Sequence, residues 1–343
     1  MSRKLDIRNG RVDLSHGSGG RAMAQLITEL FHTAFDNDWL RAGNDQSAFD
    51  APSGRMVMTT DSYVVSPLFF PGGDIGALAV NGTVNDLVMA GARPLYLSAG
   101  FIVEEGLPLA DLDRVARSMG AASRAAKTPI ITGDTKVVER GKADGVFITT
   151  AGVGVVPPGI EISGDRAKPG DVVLLSGTIG DHGVAVMSKR QGLSFETDIV
   201  SDCAALHELV AAMVAAAGGA IHVMRDPTRG GLAATLNEIA GQSRVGVRLA
   251  EHAVPVRPQV AAACELLGLD PLFVANEGKL VAIVAPEAAD TLLAAMRAHP
   301  LGAEAAMIGK IVADDRHFVQ MTTAFGGERV IDWLTGEQLP RIC

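Results

Sequence analysis

The chain passes twice through the same local grammar: a short apolar run, a turn built from glycine and aspartate, then a stretch with helical spacing. Between the two passes lies a break from Pro157-Pro158-Gly159 to Lys168-Pro169-Gly170. Proline fixes φ and lacks a backbone donor, while glycine frees the backbone, so this stretch continues neither helix nor strand. Strands that alternate with helices call for sheets covered by helices. The 343 residues suffice for two domains. Hydrophobic residues reach 48% but aromatics only 4%, so Ala, Val, Leu and Gly must build the core. That composition suits closely packed α/β layers, and α/β is the expected class.

In the first half, residues 13–20 read Asp-Leu-Ser-His-Gly-Ser-Gly-Gly. Gly17, Gly19 and Gly20 form either a plain sharp turn or an amide-lined cradle for phosphate. A helix follows, with Met23, Leu26, Ile27, Leu30, Phe31 and Ala34 at helical spacing. Residues 56–60 read as a strand leading to Asp61. Residues 75–90 read as an apolar helix interrupted by Asn81, Asn85 and Asp86, a set that is costly to bury unless satisfied. Residues 129–132 read as a strand entering a Gly133-Asp134-Thr135-Lys136 turn. In the second half, Ser176-Gly177-Thr178-Ile179-Gly180-Asp181 turns into a helix. Residues 221–224 lead into Arg225-Asp226-Pro227-Thr228-Arg229-Gly230-Gly231, residues 204–217 read as an Ala-rich helix, and Asn276-Glu277-Gly278 precedes a strand. Residues 318–321 and 329–331 read as edge strands.

A formal charge of −9 repels a nucleic-acid backbone, and no basic stripe offsets it. No apolar run is long enough for a membrane span, and the first 20 residues lack a signal-peptide core. Cys203, Cys264 and Cys343 form no CxxC pair and no disulfide framework. A cytoplasmic, reducing setting is expected, with Cys203 and Cys264 in or near the core. GxxxxGK[ST], HExxH and a strand-borne GxSxG are all absent.

What remains is a set of acids beside turns: Asp61, Asp134, Asp226 and Glu277, with Asp45 and Asp86 in polar settings nearby. Each alone reads as a turn-former or helix cap. Together they are the oxygen ligands that Mg2+ wants beside a nucleotide triphosphate. Lys136, two residues past Asp134, suits charge developing on phosphate.

These stretches, with Thr59-Thr60-Asp61-Ser62, Phe69-Phe70-Pro71-Gly72-Gly73-Asp74, Asn85-Asp86-Leu87, Gly91-Ala92-Arg93-Pro94 and the terminal Pro340-Arg341-Ile342-Cys343, resemble one family over nearly the whole chain. It is the hydrogenase expression/formation protein HypE family. This family is a branch of the superfamily of aminoimidazole ribonucleotide synthetase, thiamine-monophosphate kinase and selenophosphate synthetase. The resemblance implies a two-domain α/β (α+β) fold of the aminoimidazole ribonucleotide synthetase type, with mixed sheets covered by helices and a flexible C-terminal tail. Residues 1–40 would be a Gly-rich loop and helix, 41–160 an ATP-binding and dimerisation domain, 161–328 a C-terminal α/β domain, and 329–343 the tail.

The implied activity is an ATP-dependent carbamoyl dehydratase. A carbamoyl group on Cys343 becomes a thiocyanate, ADP and phosphate are released, and cyanide is supplied to the iron of nickel–iron hydrogenase. ATP and Mg2+ are the implied cofactors. A homodimer, the carbamoyltransferase HypF and the iron-carrying scaffolds HypC and HypD are the implied partners. On this reading Asp45, Asp61, Asp86, Asp134 and Asp226 hold metal. Gly17, Gly19, Gly20, Asp61, Asp86, Asp134, Lys136, Asp226, Arg229 and Asn276 hold nucleotide, and Glu277 or His16 is the base. Two other readings are a small-molecule kinase or synthetase of the same superfamily and a non-catalytic assembly scaffold; a functional need for Cys343, and turnover of ATP, separate them from the first.

Overall fold

The computed structural model describes residues 4–192, 199–333 and 341–343. Its helical start is α1 (Arg21–Leu26), continued by a π-helical stretch (Ile27–Phe31) into α2 (His32–Phe35), with α3 (Asp38–Arg41) after it. Then come β1 (Arg55–Tyr63), β2 (Phe69–Phe70), β3 (Gly73–Asp74), α4 (Ile75–Met89), β4 (Arg93–Glu104), α5 (Leu109–Ala125), β5 (Ile130–Val138) and β6 (Val146–Val156). Four of the strands form a sheet in the order β1-β6-β4-β5. Only β4 and β5 run parallel.

Side chains alternate faces along a strand. In β1, Met56, Met58, Thr60 and Ser62 are exposed, while Val57, Thr59, Asp61 and Tyr63 are covered. The covered face meets α4. Asp74 caps that helix, its Oδ1 accepting from Gly76 N (2.8 Å) and Ala77 N (3.1 Å). Thirteen of the 15 residues of α4 are buried, so it is apolar nearly all round rather than amphipathic. Its flank Gly76 lies against α5: a Cβ there would come within 2.3 Å of Val115 O.

The second half contains β7 (Val172–Leu175), α6 (Asp181–Gln191), α7 (His207–Ala217), β8 (Ile221–Arg225), α8 (Gly231–Ser243), β9 (Gly246–Ala250), α9 (Pro258–Leu267), β10 (Val281–Val284), α10 (Ala289–Arg297), β11 (Ala306–Val312), β12 (Val319–Thr322) and β13 (Glu328–Val330). Its seven-stranded sheet has the order β13-β12-β9-β11-β7-β10-β8. Only β9 and β12 are parallel. Val173, Leu175, Val281 and Ile283 pack with α8 through Leu232, Leu236 and Ile239. Leu174, Ala282 and Val284 face the other way, onto Leu209 and Met213 of α7 and Leu292 and Met296 of α10. Helices therefore cover both faces, which is why β7 and β10 are continuous apolar runs.

Three sequence expectations shift. Residues 133–136 are not a turn: β5 runs through them, because β4 offers a parallel partner from Leu97↔Ile130 to Glu104↔Val138. Residues 318–321 are not at an edge, since β12 lies between β9 and β13. The expected helix 204–217 starts only at His207. Asn85 of α4 takes up the preceding backbone groups, donating from Nδ2 to Ala204 O (3.0 Å) and accepting at Oδ1 from Leu206 N (2.8 Å). Among the described residues, no helix is long and apolar enough to cross a membrane.

Gly76→Ala should lower stability by about 1–3 kcal/mol, because backbone rather than a movable side chain blocks the new methyl. Urea unfolding measures this; an unchanged midpoint would mean that α4 and α5 separate without cost.

Candidate active site

Where the two halves meet, a cavity of about 230 Å³ is lined by residues that lie far apart in the chain. β1 supplies Asp61, Ser62 and Tyr63, α4 supplies Gly82 and Asp86, and the β8–α8 connection supplies Arg225, Asp226, Thr228 and Arg229. Thr235, Glu238, Glu277 and the terminal Cys343 complete the wall.

Each carboxylate is placed by its element. Asp61 shares the inward face of β1 with Tyr63, whose hydroxyl donates to its Oδ2 (3.1 Å). Gly82 makes room for that phenol, since a Cβ there would lie 2.3 Å from Tyr63 OH. Asp86 accepts from Thr59 Oγ1 (2.6 Å), so β1 also orients the acid of α4. Glu277 is held by its backbone: its N–H donates to Asp202 Oδ1 (3.0 Å), and its carbonyl accepts from Asn85 Nδ2 (3.2 Å) and from Ala204 N (3.4 Å). Its carboxyl Oε1 is buried without a hydrogen-bond partner.

Like charges that share a desolvated space resist ionising together. Burial, then the charge of Asp86, pushes Asp226 up to about 7. Burial, and then the Asp61 charge, raises Asp86 against the Thr59 hydrogen bond. Burial, followed by Asp226, Asp202, Asp61 and Asp86, pushes Glu277 well above the usual carboxylate range.

The chain end is seated in this wall. Val64 N donates to Cys343 O (3.2 Å) and Ser66 N to Arg341 O (3.3 Å), an antiparallel pairing just beyond β1. Arg190 donates from Nη2 to Arg341 O (2.6 Å) and from Nε to Ser66 O (2.8 Å). Arg341 pairs with Asp144. Ile342 is buried in the first-half core with Leu78 and Phe101. Burial, then the Glu277 charge, pushes the Cys343 thiol up to about 12, so the seated thiol is protonated at neutral pH. Of the tail, residues 334–340 lie outside the described residues.

Asp61, Asp86, Asp226, Arg229, Glu277 and Cys343 thus come together as one lining. The other expected residues stand elsewhere. Asp45 is exposed in the loop after α3. Asp134 and Lys136 sit on β5, paired with each other at 2.9 Å. His16 is 7% exposed and caps its own 3-10 turn, its Nδ1 accepting from Asp13 N (3.0 Å). Gly17 packs on β5, where a Cβ would meet Val137 N at 2.7 Å; Gly19 and Gly20 have open space beside them. The Asn276 amide is spent on backbone: Oδ1 accepts from Gly180 N (2.8 Å), and Nδ2 donates to Pro227 O (2.9 Å) and Val274 O (3.1 Å). Among the described residues, no three His, Cys, Asp or Glu side chains are gathered closely enough to cage a metal ion. Sequence reasoning gave no role to Thr59, Arg225 and Thr228, which it quoted only inside longer motifs, and it passed over Tyr63 and Glu238. The period of β1 would have flagged Thr59 and Tyr63, since they share a face with Asp61.

The Asp226 shift has a definite sign. Between the unfolded carboxylate value of about 4 and the folded value of about 7, the unfolded chain releases the proton and the folded chain keeps it. Stability is therefore lost as pH rises through that window and levels off above it. In chelator, the thermal midpoint of Asp226→Asn should gain on wild type across the window. Parallel curves for the two proteins would contradict the burial of this acid.

The family models for AIR synthase related protein match in two parts, the N-terminal domain over residues 43–156 and the C-terminal domain over residues 168–322. The carbamoyl dehydratase HypE of Rhizobium leguminosarum bv. viciae is 74% identical over 341 residues, covering 99% of this chain and 97% of that protein. The crystal structure of a hydrogenase maturation protein HypE in complex with ATP is 53% identical with a TM-score of 0.93, over 96% of this chain and 99% of that one. A HypE chain from a crystallised HypE–HypF complex is 48% identical with a TM-score of 0.79, over 90% of this chain and 99% of that one. The chain belongs to the HypE family, on the two-domain α/β fold of the AIR synthase related proteins.

Proposed function

We propose that this chain is an ATP-dependent carbamoyl dehydratase of hydrogenase maturation, with Cys343 as the carrier of its own substrate. The observation that supports it most is the seating of the terminal three residues, which puts the last thiol in the wall of an acid-lined cavity between the halves. A relative crystallised with ATP, and another with HypF, carry ATP use and the HypF partnership to this chain as parts of the proposal.

An amide oxygen is a poor leaving group. In the proposed reaction the carbonyl oxygen of the S-carbamoyl group attacks the γ-phosphorus of ATP and ADP departs. The resulting S–C(=NH2+)–O–phosphate first gives one N–H proton to the phosphate or to water, and S–C(=NH)–O–phosphate then loses its remaining N–H proton to a base. The C–O bond then breaks, phosphate leaves and the C≡N bond forms. The balance is thiocarbamate plus ATP to thiocyanate, ADP, phosphate and a proton. Glu277 suits the base once a cation beside its acidic neighbours has lowered its proton affinity enough to ionise it, since a carboxylate buried among acids is otherwise held protonated. Arg229 and Arg225 in the same lining suit the departing phosphate. Exclusion of bulk water protects the phosphorylated intermediate from hydrolysis.

Mg2+ fits the donor set. Asp61, Asp86 and Asp226 are hard oxygen donors that repel one another, and Mg2+ takes one or two carboxylates while keeping water and substrate phosphates. When bound, the ion would neutralise these acids and polarise the transferred phosphoryl group. Asp45, Asp134 and Lys136 would serve the nucleotide from a second copy. The exposed face of β1, with Met58 73% and Met56 42% exposed, supports homodimerisation through the first halves. HypC and HypD, as acceptors of the cyano group, and a cytoplasmic setting complete the proposal.

Mass spectrometry of the tail peptide tests the chemistry. With carbamoyl phosphate, HypF, ATP and Mg2+, Cys343 should gain a carbamoyl group that loses one water only when ATP is hydrolysable. Cys343→Ala should show neither event. Glu277→Gln should load normally and lose water about 10²–10⁴-fold more slowly. An unmodified Cys343 beside demonstrably active HypF would refute the carrier role, and a Glu277→Gln protein at wild-type rate would remove the base.

A further inference from the structure

The tail is held by a buried histidine to which the reaction above gives no task. His182, at the start of α6, is fully buried, and its Nε2 lies 3.0 Å from Ile342 O. A carbonyl only accepts, so Nε2 carries the proton and donates. Nδ1 is then a lone pair, and Ser201 Oγ at 2.8 Å must donate to it. Ser201 Oγ in turn accepts from Cys203 N (3.1 Å), so each group in this chain is used once in a consistent direction. Burial holds His182 below the usual histidine range, in keeping with a neutral ring. The ring of Phe70 packs on it edge-on at 5.4 Å.

The segment behind the histidine also fixes Glu277. Asp202 accepts the Glu277 N–H, and Ala204 N donates to the Glu277 carbonyl. The fit is close: a Cβ on Gly278 would fall 1.8 Å from Asp202 O. On the other side, Ser201 N donates to Pro71 O (2.9 Å), in the turn between β2 and β3. The residues that hold the histidine are thus continuous with those that hold the acid.

We propose that His182 is the positioning residue that latches the chain terminus, and that the Ser201–Cys203 segment couples seating of the tail to placement of Glu277. The latch stands on geometry alone, whereas the coupling rests on the dehydratase reading.

Thiol labelling of the full-length, uncarbamoylated protein tests the latch without any carbamoyl chemistry. Alkylation at Cys343 is followed by peptide mass spectrometry, with Cys264, in the separate core of α9, as the internal control. His182→Phe removes the donor and keeps the bulk. It should speed Cys343 labelling about tenfold, the ratio matching one buried hydrogen bond. His182→Gln, which retains an N–H donor, should stay within about threefold of wild type. Wild-type labelling in a folded His182→Phe protein overturns the latch. If that variant does not reach the wild-type thermal midpoint, Ser201→Ala, which leaves the ring in place, is judged by the same criterion. For the coupling, Ser201→Ala is loaded with carbamoyl by HypF and given ATP. Slower water loss at saturating ATP, with unchanged nucleotide affinity, is expected, and an unchanged rate overturns it. Because labelling needs neither carbamoyl nor ATP, failure of the latch and failure of the dehydratase reading are separate results.

Discussion

Four acids facing one cavity are the constraint on which the rest of this structure turns. Asp61, Asp86, Asp226 and Glu277 line a space that burial has partly desolvated, and the charges of the three aspartates raise the cost of ionising their neighbours. Left to themselves such side chains would swing out to water. Three of them stay because each is fixed by something other than its own charge. A strand register and a phenol hold Asp61, a threonine on that strand holds Asp86, and backbone hydrogen bonds on both sides hold Glu277. A cation entering this space would relieve the repulsion and lower the proton affinity of Glu277 with it.

α4 makes this arrangement possible. It is buried all round because it serves as a wall to both halves, packing on the first sheet through Leu78 and Val84 and on the second-half core through Val88 and Met89. Its polar residues are the fasteners of that dual role. Asn85 ties down the Ala204–Leu206 backbone and the Glu277 carbonyl, while Asn81 reaches the Cys203 sulfur at 3.5 Å. A helix that serves one domain needs a single apolar stripe; one that joins two domains and carries an acid into the cleft needs buried amides, each fully paired.

The terminus answers the same geometry from the other side. Ile342 enters the first-half core, and its backbone is held by Val64, Ser66, Arg190 and His182. Only the last side chain is left facing the cavity. Burial keeps the seated thiol protonated at neutral pH.

Much of this was legible in the order of residues. Two passes of strand, Gly/Asp turn and helix, split by a Pro/Gly-rich break, determine layers and halves, because local propensity and apolar period act over a few residues. The acids beside those turns and the terminal cysteine could be marked one by one for the same reason. What the sequence could not decide was which of the marked residues meet. Asp134 and Lys136 look like Asp226 in local pattern, yet parallel pairing with β4 draws them into a strand away from the cavity. His16 and Asn276 look like site residues but are spent on nearby backbone. His182 and Asp202 look like nothing, and yet they grip the tail and Glu277. Pairing register and the packing of one half on the other are sums over contacts distant in sequence. Only the tertiary structure carries them.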